Sequence, residues 1–153
     1  MSLLKFLIYW EEDSAICRQV EILSNQTFFD LHVCIKTAFQ LPETMEASLY
    51  VSNNHWLLEK EISSIVEKNL RDAPALSMKR TPIGALINDP HQRFVYVSNH
   101  LKKWTFHLEI ITLFSMPEET DMYPRCVMSE GLSPSQIGVQ ALEKDSVLEI
   151  EER

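Results

Sequence analysis

The sequence predicts an α+β domain: a mostly antiparallel or mixed twisted sheet, one well-defined amphipathic helix at 27–40, and short additional helices. Three observations carry this. Segments that alternate with period two outnumber segments with helical spacing, and no regular strand–helix–strand repeat appears. One stretch, TFFDLHVCIKTAFQ, places its apolar residues at helical intervals. Two long runs, QRFVYVSN and KWTFHLEIITLF, alternate as strands do when one face lies in a core. With 153 residues and 45% apolar content, the chain fits one domain spanning 1–153.

The elements follow in order. LLKFLIYW (3–10) puts Leu4, Phe6, Ile8 and Trp10 on one face of a strand, and Glu11-Glu12-Asp13 breaks it as a polar turn. Lys5 interrupts the run, and no cationic start or small-residue cleavage site accompanies it, so the segment reads as a strand and not a signal peptide. ICRQVEIL (16–23) returns as the hairpin partner, with Val20 and Ile22 on one face and Arg18 in line with them. In the helix at 27–40, Phe28, Leu31, Ile35, Ala38 and Phe39 form one stripe. Thr27 is its N-cap, Asp30 completes a capping box, and Leu41-Pro42 ends it.

ASLYV (47–51) predicts a short strand, Ser52-Asn53-Asn54 a turn, and His55-Trp56-Leu57-Leu58 its returning partner. A short helix is expected within 61–70, and another after Thr81-Pro82 over IGALI. Residues 92–99 and 103–114 form the strongest strand signal. In the second run Trp104, Phe106, Leu108, Ile110 and Phe114 share the core face, and Thr105, His107, Glu109, Ile111 and Leu113 the other. From Met116 onward, Pro117, Pro124 and Pro134 predict an ordered loop, and the acidic segment 140–153 is open between a final strand, a helix and a loosely ordered tail.

Composition removes several function classes. Three widely spaced glycines leave no Gly-rich phosphate loop. A net charge of -8 disfavours direct nucleic-acid binding, which draws on Lys and Arg. Cys17, Cys34 and Cys126 form no CxxC pair, which fits a reducing, cytoplasmic setting better than a disulfide framework or zinc ribbon. No stretch is apolar enough to span a membrane.

The chemistry-bearing residues each have a bland and a functional reading. His32 lies on the helix stripe, as a core histidine or as a pocket-lining proton carrier. His107 and Glu109 share a strand face, solvated or paired for acid–base work. His100 beside Lys102-Lys103 reads as an exposed loop. His55 and His91 have no ligand spacing with any other histidine. Cys34 flanks the buried stripe and Cys126 lies in the proline-rich segment, neither within a nucleophile signature. Tyr96, Trp104, Tyr123 and Arg125 are types that build binding surfaces, or else core and loop anchors. The surface or pocket candidates are therefore His32, Tyr96, Trp104, His107, Tyr123 and Arg125. No catalytic, cofactor or metal ligand is assigned.

Three segments together resemble the plasmid pRiA4b ORF-3-like family, which includes passenger proteins of insertion sequences. They are ICRQVEILSNQTFFDLHVCIKTAFQL with its Asp30-Leu31-His32 and Ala38-Phe39, RFVYVSNHLKKWTFHLEI, and Tyr123-Pro124-Arg125-Cys126 followed by Gly131 and Pro134. The resemblance implies a fold more than an activity. It also implies an eroded site: the family's Asp-aromatic-Gly-Asp turn is here Asn99-His100-Leu101-Lys102. The family's histidine two residues after the Trp is here Phe106, and its later Cys-, Pro- and acid-rich segment is reduced to Leu132-Ser133-Pro134-Ser135-Gln136.

The leading expectation is a non-catalytic interaction module with a protein partner, no cofactor and no membrane. A divergent enzyme or metal-binding protein, and a nucleic-acid-associated accessory of a mobile element, remain as alternatives. The sequence assigns no oligomeric state.

Overall fold

The computed structural model describes residues 2–70, 74–99, 103–114 and 122–133. Strands β1 (Leu3–Trp10) and β2 (Asp13–Leu23) form the expected hairpin around Glu11-Glu12. Helix α1 (Phe28–Ala38) follows. Then come β3 (Ala47–Ser52), β4 (Leu58–Ser63), β5 (Ala75–Ser77), a single 3-10 turn (Ile83–Leu86), β6 (Arg93–Ser98), β7 (Thr105–Phe114) and β8 (Arg125–Glu130). All eight strands make one sheet in the order β5-β4-β3-β6-β7-β1-β2-β8. Every pairing is antiparallel except β4 with β5, so the sheet is mixed.

One face of the sheet is the core. Leu4, Phe6 and Ile8 of β1, Val20 and Ile22 of β2, Phe94 and Tyr96 of β6, and Phe106, Leu108 and Ile110 of β7 are buried there. The stripe of α1 closes over them, with Phe28 against Phe94 (ring centroids 5.5 Å) and Phe39 against Phe106 (4.4 Å). The capping box forms as its residues predict. Asp30 N–H donates to Thr27 Oγ1 (3.2 Å), and Thr27 N–H donates to Asp30 Oδ2 (3.0 Å). Such caps contribute about 1 kcal/mol. The helix stops at Ala38, and Gln40 turns the chain away at φ 53 before Pro42.

Four expectations are corrected. The 61–70 helix is absent, because Leu58–Ser63 pair with β3 and bury Ile62 opposite Leu49. The IGALI segment makes one 3-10 turn and no α-helix. The loop expected after Met116 contains β8, an edge strand antiparallel to β2. The alternation of β7 does not run to its end. Lys5 lies opposite Thr112 and Phe6 opposite Ile110, so Ile111 is an extra residue. One inserted residue inverts a period-two pattern. Phe114 therefore takes the register position opposite Leu3, off the row that holds Ile110. The turn residues 100–102 and the segment 140–153 lie outside the described residues.

Arg18 ties three elements together from a nearly buried position, 4% exposed. Its Nε donates to the Ala38 carbonyl at the end of α1 (2.9 Å). Its Nη1 donates to the carbonyls of Cys17 (2.8 Å) and of Glu130 on β8 (2.7 Å). The guanidinium lies 4.7 Å from the centroid of the Phe39 ring. It thus satisfies a helix-terminal carbonyl that has no partner within the helix.

The chain leaves β8 through Gly131, whose φ of +79 is a left-handed value. A Cβ there would meet Ile16 Cγ1 at 2.9 Å and Ile16 Cα at 3.0 Å. Backbone cannot move aside cheaply, so Gly131→Ala is expected to destabilise the fold by about 2 kcal/mol. Urea denaturation checks this, and an unchanged midpoint would refute it.

Candidate functional site

The face of the sheet away from α1 carries a cluster assembled from four distant parts of the chain. Register places Tyr9 of β1 opposite His107 of β7, and Arg93 of β6 opposite Glu109 of β7. Glu11 follows β1, its N–H bonded to the Thr105 carbonyl (2.9 Å). Trp56, from the β3–β4 connection, lies against this group. Its ring centroid is 4.1 Å from that of His107 and 6.3 Å from that of Tyr9, and the Arg93 guanidinium lies 4.5 Å from it.

The connection is held in shape by local polar chemistry. Asn53 Oδ1 accepts from the N–H groups of His55 (2.8 Å) and Leu57 (3.1 Å), as Asn does in turns. Arg93 Nη1 donates to the Asn54 carbonyl (2.7 Å). This geometry sets Trp56 at φ 59, a left-handed conformation uncommon for any bulky residue. The next two side chains project outward: Leu57 is 61% and Leu58 51% exposed.

His107 is engaged at both ring nitrogens. Nε2 is 2.9 Å from Glu11 Oε2, and Nδ1 is 3.5 Å from the Tyr9 hydroxyl. Burial raises the Tyr9 phenol pKa, with Arg93 opposing and Glu109 adding to the rise. Glu109 faces Arg93 (3.9 Å) and is not the partner of His107. The Trp56 ring already carries the cation of Arg93, so the cluster is a braced aromatic anchor and not a vacant cation cage. Beside it, Asn53, Asn54, Asp89, Gln92 and Arg93 line a cleft of about 280 Å³. Its walls are committed to local structure, since Gln92 Nε2 donates to the Ser52 carbonyl (3.1 Å) and Asp89 Oδ1 accepts from the His91 N–H (2.7 Å).

The other sequence candidates occupy two further places. His32 and Tyr96 meet inside the core, the Tyr96 hydroxyl 2.8 Å from His32 Nδ1. Burial pulls the His32 pKa down to about 4; Lys36 adds to the fall, while Glu46 and a hydrogen bond to the Met45 backbone oppose it. His32 is therefore a neutral imidazole at physiological pH. Burial also pushes the Tyr96 phenol up, and Glu46 adds to this. Trp104 is buried where β6 and β7 close, its backbone N–H donating to Ser98 Oγ (2.8 Å). At the sheet edge, Arg125 pairs with Glu21 (2.8 Å) and stacks 5.1 Å from the centroid of Tyr123, whose carbonyl accepts from Gln26 Nε2 (2.7 Å).

Tyr9, Glu11, Trp56 and Arg93 escaped sequence reasoning. The available signal was the outward parity of Tyr9 on β1 and of Arg93 on β6, but pairing β1 with β7 was needed to join them. Among the described residues, no group of three or more His, Cys, Asp or Glu side chains is arranged to hold a metal ion. No helix among them is long and apolar enough to cross a membrane.

Among the described residues, fold and surface together define an α+β sheet with one covering α-helix and an aromatic anchor on the opposite face. The chain belongs to the plasmid pRiA4b ORF-3-like protein family, whose model matches residues 7–140. Its fold is similar to that of a protein of unknown function, MM3350 from Methanosarcina mazei Go1, with a TM-score of 0.71. The two share 16% identity, and the match covers 86% of this chain and 71% of that one. No curated protein matches the sequence.

Proposed function

We propose that this chain is a non-catalytic protein-interaction module whose working surface is the Trp56-Leu57-Leu58 tip, braced on Arg93, His107 and Tyr9. The observation that carries the reading is the tip itself. Left-handed backbone at a bulky residue costs on the order of 1–3 kcal/mol and persists where the surroundings impose it, commonly at functional positions. Here the cost accompanies two exposed leucines beside a restrained Trp. Trp, Tyr and Arg are the types that concentrate binding energy at protein interfaces. A restrained aromatic loses little conformational entropy on binding. The engagement of both His107 nitrogens argues against that imidazole as a free general base. Three free thiols fit action in a reducing compartment such as the cytoplasm.

The test is affinity capture from native-host lysate, with nuclease, of the wild type and of a variant carrying Leu57→Asp and Leu58→Asp. Both positions are exposed, so the variant is expected to keep its thermal midpoint. A stoichiometric protein captured by the wild type should fall at least tenfold with the variant. Equal capture by both, or no stoichiometric protein at all, overturns the reading. A partner lost on nuclease treatment replaces it with the nucleic-acid association that kinship with insertion-sequence passengers implies.

A further inference from the structure

Cys34 belongs to α1 and Cys126 to the edge strand β8, two elements that lie against each other. Cys126 is the register partner of Val20, a fully buried core-face residue of β2. Opposed residues of an antiparallel pair share a face, so Cys126 belongs to the α1 side of the sheet. α1 lies against β8 as well as β2. His32 marks the flank of α1 turned toward β6, through its contact with Tyr96. Helical spacing puts Cys34 and Ala38 on the opposite flank. The C-terminal end of α1 is tied to β2 and β8 by Arg18, which donates to the Ala38 and Glu130 carbonyls.

Both thiols are free, Cys34 half-buried and Cys126 exposed. Burial pushes the Cys34 thiol up to about 12, and Cys126 adds to the rise, while the Cys126 thiol itself donates to the Met128 carbonyl (3.3 Å). Cys17 lies apart, opposite Tyr9 on the other face, with its Sγ 4.0 Å from Glu130 Oε2.

We propose that Cys34 and Cys126 are a reversible disulfide pair, oxidised by a small-molecule disulfide such as glutathione disulfide, that staples β8 to α1. Exposure and burial set the order of events. The accessible Cys126 thiolate attacks glutathione disulfide, forming a mixed disulfide and releasing one glutathione thiolate. Cys34 sulfur then attacks the Cys126 sulfur. Its proton leaves with the second glutathione, and the Cys34–Cys126 bond forms. Two protein thiols lose two electrons, and one glutathione disulfide becomes two glutathione thiols. In a reducing compartment the dithiol is the resting form, and the link appears when the glutathione pool is oxidised.

The experiment equilibrates the full chain in glutathione buffers of increasing oxidised fraction. Intact mass and a non-reducing peptide map are then read. The expected result is a loss of two hydrogens and a peptide joining residues 34 and 126, in the wild type and in Cys17→Ser alike. The oxidised form should melt about 5 °C higher, reversed by dithiothreitol, because the link closes a long loop in the unfolded chain. Cys34→Ser should stop at a glutathione adduct on Cys126. An adduct at Cys126 in the wild type without the internal link, or a link through Cys17, overturns the proposal.

Discussion

Replacing Arg18 with Met is expected to lower the unfolding free energy by about 3 kcal/mol, moving the thermal midpoint down by roughly 6–12 °C for a chain of this size. Three carbonyls, of Cys17, Ala38 and Glu130, lose a charged donor at once. The bond to the Cys17 carbonyl is buried and those to Ala38 and Glu130 are part-buried, so water replaces the lost donor only in part, and an acceptor left unpaired carries a desolvation penalty. The Met side chain keeps most of the packing on Phe39, so the loss isolates the hydrogen bonds. Arg18→Lys should recover only part of it, because one ammonium cannot reproduce the planar fork that serves Ala38 and Glu130 together. A Met variant within 1 kcal/mol of wild type in urea denaturation would show that the clamp is dispensable.

Acid should destabilise the fold through His32. The imidazole has a folded pKa of about 4 against an ordinary value near 6.5. Between those values the unfolded chain binds a proton that the folded chain refuses. Stability from this group is therefore complete above about pH 6.5 and is lost as pH falls toward 4. The separation corresponds to about 3 kcal/mol across the window. The Tyr96 hydroxyl sharpens the effect. The Met45 carbonyl accepts from the imidazole, so we assign the ring proton to Nε2 and leave Nδ1 to accept from Tyr96. Protonating Nδ1 would turn that acceptor into a second donor. His32→Gln is expected to be less stable at pH 7 yet to lose about 2 kcal/mol less than wild type between pH 7 and pH 4.5. Equal losses in the two proteins would remove His32 from the account. Carboxylates titrating in the same range contribute to both curves and cancel in the difference.

What the sequence revealed divides along the line between local and long-range physics. Helix α1 was legible because its determinants lie within a dozen residues: a Thr27–Asp30 box, a 3.6-residue stripe and a proline beyond. β1, β2, β6 and most of β7 were legible because one buried face imposes alternation. β8 was not. Its side chains are mostly exposed, and Val127, an extra residue between the partners of Val20 and Gln19, breaks its period. The inversion at Ile111 was invisible for a related reason, since a bulge is defined by the partner strand. The anchor cluster shows the same limit. His107 and Glu109 were correctly placed on one face, but their partners are Glu11 with Tyr9, and Arg93, from strands whose adjacency only the assembled sheet specifies. Trp56 read as part of a returning strand. The turn chemistry of Asn53 instead delays β4 until Leu58 and frees the tryptophan to fold across the sheet.

The central position of β1 has a consequence for synthesis. β1 pairs on one side with β2, a few residues away, and on the other with β7. During translation the first hairpin therefore leaves the ribosome with one edge of β1 unfilled, and its partner emerges about 90 residues later, roughly 5–20 s at ordinary elongation rates. For that interval the nascent chain offers an apolar strand edge, ready to pair with another chain. Closure of the sheet waits on its most distant pairing, which makes folding slow for a domain of this length. A chain that stalls before residue 105 leaves that edge of β1 without its β7 partner.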